Sequence, residues 1–177
     1  MIKKGIILAG GLGTRMSPLT KSVNKQLLPI YDKPLIYYPI SILMLAGIRE
    51  ILIIVNKGSI GQFKKLLLNG ENFGINITYA EQKKPAGLPD AFKIGKNFIG
   101  KDNVALILGD NFLYAQSLSE KLSSITKLKK GATILAHPVK NPNRFGVVTL
   151  KGKKILNLVE KPKKTKSNLA ITGLYFF

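Results

Sequence analysis

The chain has 177 residues, 45% of them hydrophobic, enough for one packed domain and too many for a disordered one. It has no cysteine, which excludes disulfides and thiolate metal centres and fits a reducing compartment, and no apolar run approaches the roughly 20 residues that span a bilayer. The net charge of +19, from 28 Lys+Arg against 9 Asp+Glu, is compatible with nucleic acid, an anionic small substrate or a solvated lysine-rich surface.

Taken from the start, Lys3–Ala9 reads as a buried strand. Lys3 and Lys4 before an apolar stretch resemble a signal peptide, but glycines break the stretch at once, so a soluble cytoplasmic domain is expected. The strand stops at Gly10-Gly11-Leu12-Gly13-Thr14-Arg15. Glycines let backbone N–H groups approach a ligand closely, and a following cation suits a polyphosphate. The Walker loop does not fit, because Thr14-Arg15 stands where Lys-Ser or Lys-Thr is needed. The dinucleotide fingerprint fails at Met16, where it needs a glycine. A tight turn without ligand remains the competing reading.

Asn24 is predicted to cap a short helix carrying Lys25-Gln26-Leu27-Leu28, which Pro29 closes. A lysine at a helix start opposes the dipole unless an anion lies nearby. After a turn at Tyr31-Asp32-Lys33, Pro34 opens a helix to about Ala46, stopped by Gly47. Ile51–Val55 is a buried strand, Gly58–Leu68 a helix with Phe63, Leu66 and Leu67 on its apolar face, and Ile75–Ala80 a third strand. A polar loop, Glu81 to Pro89, leads into a helix over Asp90–Phe98. Val104–Leu108 is a fourth strand, followed by Gly109-Asp110-Asn111 and a helix over Ser117–Lys130. Ala132–His137 is a fifth. Phe145–Leu150 and Lys153–Val159 face each other across Lys151-Gly152 as a hairpin, and Leu169–Phe177 is a last strand.

Strand–helix alternation up to His137 predicts a three-layer, Rossmann-like α/β fold: a mixed, mainly parallel sheet flanked by helices, with a β-hairpin extension towards the C-terminus. The glycine loop, Gln82 and Asp110 then lie at one sheet edge, where open α/β sheets place ligands. Asp110 at a strand end suits Mg²⁺, which takes few protein oxygens; a helix cap is the plainer alternative. Glu160-Lys161-Pro162 offers an acid and a base to a sugar phosphate, or is a charged turn. His137, the single histidine, reads as structural. Neither a Ser-His-Asp arrangement nor a pair of acids for glycoside hydrolysis is visible. Cations and amides with one metal-binding acid are the inventory of phosphoryl or nucleotidyl transfer.

Together, the glycine loop, Lys25-Gln26-Leu27-Leu28-Pro29-Ile30-Tyr31-Asp32-Lys33-Pro34, Gln82 with Gly87-Leu88, Gly109-Asp110-Asn111, Glu160-Lys161-Pro162 and Thr172-Gly173-Leu174-Tyr175-Phe176 resemble the sugar-1-phosphate nucleotidyltransferases, in particular those joining dTTP to glucose 1-phosphate. The resemblance covers the whole chain and implies a Mg²⁺-dependent in-line transfer giving dTDP-glucose and pyrophosphate. It implies that Leu8, Gly10, Gly11, Gly13, Thr14 and Arg15 hold the nucleotide, with Arg15 on the departing pyrophosphate. Lys25 neutralises the α/β bridge, Gln26 lies beside it, and Gln82 and Gly87 meet the base. An amide offering both donor and acceptor suits a base edge. Asp110 holds the metal. Leu88, Leu108, Phe145, Gly146, Glu160, Lys161, Ile171 and Tyr175 take the sugar and its phosphate, Lys161 sharing the catalysis with Arg15, Lys25 and Asp110. The implied partners are dTTP, glucose 1-phosphate and further copies of the chain in a homo-oligomer, with no nucleic acid and no membrane.

The family runs longer than this chain, and its second metal-binding aspartate lies past residue 177, so residues 1–177 are expected to be a single catalytic domain truncated at its C-terminal end. Phe145 replaces the tyrosine usual in the family's Arg-Tyr-Gly-Val-Val segment, and Pro89-Asp90 replaces a small polar pair. Alternatives are an enzyme using UTP or CTP, a nucleotide-binding remnant without turnover, and a nucleic-acid binder, which would show a steep salt dependence.

Overall fold

The structure is a computed structural model describing residues 1–152 and 154–177. Lys153, the expected first residue of the second hairpin strand, lies outside the described residues. The elements run β1 (Lys4–Leu8), β2 (Pro29–Ile30), β3 (Lys33–Pro34), α1 (Tyr37–Leu45), β4 (Glu50–Asn56), α2 (Ile60–Leu67), β5 (Asn76–Gln82), α3 (Leu88–Ile94), α4 (Lys96–Ile99), β6 (Val104–Leu108), α5 (Leu118–Ile125), β7 (Thr133–Pro138), β8 (Gly146–Lys151), β9 (Lys154–Glu160) and β10 (Leu169–Phe176).

One eight-stranded mixed sheet carries the fold, ordered β5-β4-β1-β6-β10-β8-β9, with β7 also paired to β10. Its first four strands are parallel. They have apolar side chains on both faces because both faces are covered. On one face Ile7, Ile51, Ile53 and Ile107 pack against α1, α2 and α5 through Ile40, Leu43, Phe63, Leu67 and Leu122. On the other, Ile6, Leu52, Ile54 and Leu106 meet Ala91 of α3, with Phe98 and Ile99 of α4. The remaining strands are antiparallel: β10 lies against β6 with Leu174 opposite Ile107, and β8 and β9 form the expected hairpin. This is the three-layer α/β architecture read from the sequence.

Local boundaries differ for physical reasons. Pro34 does not open α1. It pairs with Pro29 in a small ribbon, Leu35 N–H donates to Leu28 O and Ile36 N–H to Gln26 O, so the helix starts at Tyr37. The helix expected over Asp90–Phe98 starts at Leu88 and divides at Gly95. A Cβ there would lie 3.0 Å from both Ala91 O and Ile6 Cδ1, a close approach to the sheet that favours glycine. The helix expected to reach Lys130 ends at Ile125. The Thr126 hydroxyl donates to Ser123 O and the Thr126 carbonyl accepts from Ile2 N–H, so a tertiary bond takes the acceptor that another helical turn would need. Glu81 and Gln82, expected in a loop, extend β5.

Candidate active site

The parallel strands end side by side, and the site is built on those ends. After β1, Ala9 N–H donates to Ile54 O and the chain turns outward. Gly13 has φ 63°, the left-handed conformation, and begins a 3-10 turn at Thr14–Met16. Thr20 Oγ1 donates to Gly13 O at 2.9 Å, and a Cβ on Gly13 would lie 3.1 Å from Lys25 Cβ, so the loop folds back onto the Lys25 segment. Thr14 and Arg15 are exposed on that turn, facing no carboxylate partner among the described residues.

Asn24 caps the next turn as expected, accepting from Gln26 N–H at 3.1 Å. The turn is a single 3-10 turn, Lys25–Leu27. The anion that a lysine at this position calls for is Asp110: Lys25 Nζ donates to Asp110 Oδ2 at 2.6 Å. Asp110 therefore faces the glycine-loop side and is no helix cap, since α5 starts only at Leu118. Gln26 is buried at 2% exposure, and its Oε1 has no hydrogen-bond partner among the described residues. An orphaned buried acceptor costs about 1–3 kcal/mol, a cost a ligand donor would remove. Gly109, where a Cβ would lie 3.1 Å from Gln26 Cγ and 3.0 Å from Ala9 Cα, lets the three segments meet.

Gln82, at the end of β5, is buried at 3% exposure and reaches across the sheet edge. Its Nε2 donates to Gly10 O at 2.8 Å and to Asn56 Oδ1 at 3.1 Å. The expectation of an amide offering both donor and acceptor to a base is thereby corrected: both protons are already in use, and Oε1 remains. Gly87, with φ 87°, ends the exposed loop before α3.

The other expected group lines a cleft of about 900 Å³ beside Asp110. Leu108 and Leu88 line it near the parallel strands, and Ile171 and Tyr175 of β10 line another wall. Phe145, Gly146 and Glu160 line it from the hairpin. Gly146 leaves room for Glu160, whose Oε2 would lie 3.1 Å from a Cβ there. Burial, and secondarily the Glu160 carboxylate, pushes the Tyr175 phenol above its ordinary pKa. Lys161 is not in the cleft wall. It adopts a left-handed φ of 44°, donates its N–H to Phe145 O and has its ammonium 3.4 Å from Glu160 Oε1.

Sequence reasoning missed several residues, His137, Asn111 and Asn56 among them. His137 and Asn111 line the cleft. Asn111 Nδ2 donates to Thr172 O of β10, a partner invisible without the sheet order. Asn56 ends β4 opposite Gln82; its signal was a polar residue directly after the apolar run Ile51–Val55.

Among the described residues no group of three His, Cys, Asp or Glu side chains gathers to hold a metal. The carboxylate on the glycine-loop side is Asp110. That fits Mg²⁺ bound mainly through phosphate and water oxygens and does not fit an all-protein cage. No helix among the described residues is long and apolar enough to cross a membrane.

The chain is similar to proteins named glucose-1-phosphate thymidylyltransferase. One from Neisseria meningitidis serogroup A is 55% identical over 175 residues, covering 98% of this chain and 61% of that protein. One from Mycolicibacterium smegmatis is 51% identical over 175 residues, covering 98% and 60%. The chain thus spans about three fifths of the length of the curated relatives it matches. Among solved structures, a Bacillus anthracis chain crystallised with sucrose superposes with a TM-score of 0.91 at 40% identity, covering 98% of this chain and 70% of that one. A UDP-glucose pyrophosphorylase bound to UDP-glucose gives 0.83 at 29%, covering 99% and 76%. The family model described as nucleotidyl transferase matches residues 4–177. That span takes in every strand end on which the glycine loop, Asp110 and the cleft are built, and the chain belongs to the nucleotidyl transferase family.

Proposed function

We propose that the chain carries the Mg²⁺-dependent transfer of a thymidylyl group from dTTP to glucose 1-phosphate, giving dTDP-glucose and pyrophosphate. The observation that carries this reading is the position of Asp110, which is paired with Lys25 beside the glycine loop and also lines the 900 Å³ cleft. One carboxylate is thus shared by a phosphate-binding edge and a pocket with room for a sugar phosphate. The names of the relatives supply the substrates.

In this reading the backbone N–H groups of Gly10, Gly11, Gly13 and Thr14 hold the triphosphate, and Leu8 supports the loop at the end of β1. Gln26 and Lys25 lie against the nucleotide, Gln82 and Gly87 against the base. Arg15 stabilises the departing pyrophosphate. Lys25 exchanges Asp110 for the α/β phosphate bridge. Asp110 would hold the metal, which would supply charge neutralisation. In the cleft, Glu160 and Tyr175 bond sugar hydroxyls, and Leu88, Leu108, Phe145, Gly146 and Ile171 shape the pocket; Lys161, outside the cleft wall, would have to leave Glu160 to meet the sugar phosphate. The sugar phosphate attacks the α-phosphorus in line, and positioning does most of the work. The same reading has the protein working in the cytoplasm as an assembly of its own copies, without a nucleic-acid or membrane partner.

Pyrophosphate release from dTTP, glucose 1-phosphate and Mg²⁺ tests the reading, with Asp110→Asn as the control that keeps the fold and loses turnover. Normal rates in Asp110→Asn refute the site. Calorimetric binding of dTTP with no pyrophosphate release would instead select binding without turnover.

A further inference from the structure

Three parallel strands present their carboxyl ends in a row: β1 continuing into Gly10, β4 ending at Asn56 and β5 ending at Gln82. Asn56 and Gln82 are register partners. The backbone around Asn56 is held to β5 twice, by Lys57 N–H donating to Gln82 O at 3.2 Å and by Gly58 N–H donating to Glu81 Oε1 at 2.8 Å. The Gln82 amide lies between two neighbours that fix its orientation. Gly10 O is a main-chain carbonyl and can only accept, so the atom 2.8 Å from it must be the nitrogen. The second amide proton goes to Asn56 Oδ1 at 3.1 Å. An amide has only these two protons, so Oε1 is the only group Gln82 retains for a ligand.

We propose that Asn56 is a positioning residue that makes Gln82 an acceptor-only reader of the base. An acceptor matches a pyrimidine whose N3 carries a proton, thymine or uracil. It opposes cytosine, whose N3 is itself an acceptor. The inference rests on the reading of this edge as a pyrimidine-nucleotide site and adds a residue that, acting through Gln82, sets which pyrimidine is taken. Removing the Asn56 acceptor frees one amide proton. Gly10 O still holds the nitrogen, but the amide can now pivot about that one bond to find an acceptor for the freed proton, so the aim of Oε1 at N3 is no longer fixed.

The experiment is calorimetric titration of dTTP, dUTP and dCTP, each with Mg²⁺, into the wild-type chain, Asn56→Leu and Asn56→Asp. The wild type is expected to bind dTTP and dUTP more tightly than dCTP. Asn56→Leu is expected to lose about tenfold for dTTP and dUTP while dCTP changes by less than about twofold, a tenfold loss being about 1.4 kcal/mol. Asn56→Asp still offers an acceptor to Nε2 and is expected to retain the wild-type preference; Leu and Asp both fill roughly the space of Asn, so a space-filling role predicts no loss in either variant, whereas the acceptor role predicts a loss in Leu alone. An unchanged dTTP-to-dCTP ratio in Asn56→Leu, or an equal loss for all three nucleotides, overturns the role of Asn56 while leaving the nucleotide site standing. If the wild type binds none of the three, the nucleotide reading itself falls, and this inference falls with it.

Discussion

Gly10 is the position at which one methyl group should uncouple the sheet edge. A Cβ there would lie 1.9 Å from Gln82 Nε2 and 2.4 Å from its Cδ, so the amide must leave. The backbone itself does not resist, since Gly10 is not among the glycines with a left-handed φ. What is lost is the pair of bonds from Nε2 to Gly10 O and Asn56 Oδ1, worth about 1 kcal/mol each, with a further fraction because the amide is buried. The expected destabilisation of Gly10→Ala is about 2–3 kcal/mol, or about 5–10 °C in thermal midpoint for a domain of this size. Gly11→Ala is the internal control: the nearest atom to its Cβ, Gln26 Nε2, is 3.9 Å away, an ordinary contact, and its midpoint should move by less than about 2 °C. Melting followed by circular dichroism, with urea titration as a second measure, reads both. The double variant Gly10→Ala/Gln82→Ala removes the clash with its cause, so its loss should be well short of the sum of the single losses. Gly10→Ala melting with the wild type, or strict additivity in the double variant, would refute the reasoning.

Phe63→Ala empties a fully buried site between α2 and the sheet and should cost about 3–5 kcal/mol in urea unfolding. Lys25→Met breaks an ion pair whose side chains are 22% and 39% exposed, so it should change stability by no more than about 1 kcal/mol in the same assay while lowering turnover severely. Burial pushes the Tyr79 phenol up to about 12 from 10.0. Folding therefore favours its neutral form, and that stabilisation is complete below pH 10 and lost as pH rises through 12. Ultraviolet titration should show a late-ionising tyrosine that Tyr79→Phe removes, and the same variant should flatten the alkaline loss of stability.

Strong apolar runs were readable because a strand covered on both faces has no other sequence form. Val104–Leu108 was placed to the residue, and Ile51–Val55 needed only Glu50 and Asn56 added. Where the reading failed, a distant partner decided the matter: Ile2 for the end of α5, Leu28 and Gln26 for the start of α1, and the sheet surface at Gly95 for the division of α3 from α4. The site divides the same way. Glycine, lysine and aspartate at strand ends carry local signals, and Lys25 stood out because it opposed its own helix dipole. That its counter-charge is Asp110, and that Gln82 has both amide protons engaged, depends on which strands are neighbours.

The order of strands in space has a consequence for how the chain is made. β6 pairs on one side with β1, available early in synthesis, and on the other with β10, which emerges only after the hairpin. Until residues 174–176 leave the ribosome, the flank of Val104–Leu108 is an unpaired, wholly apolar edge, a template on which a neighbouring nascent chain can add a strand. Nascent chains stalled between β6 and β10 should therefore be more prone to self-association than those released after β10, and chaperone demand should be concentrated in that interval of translation.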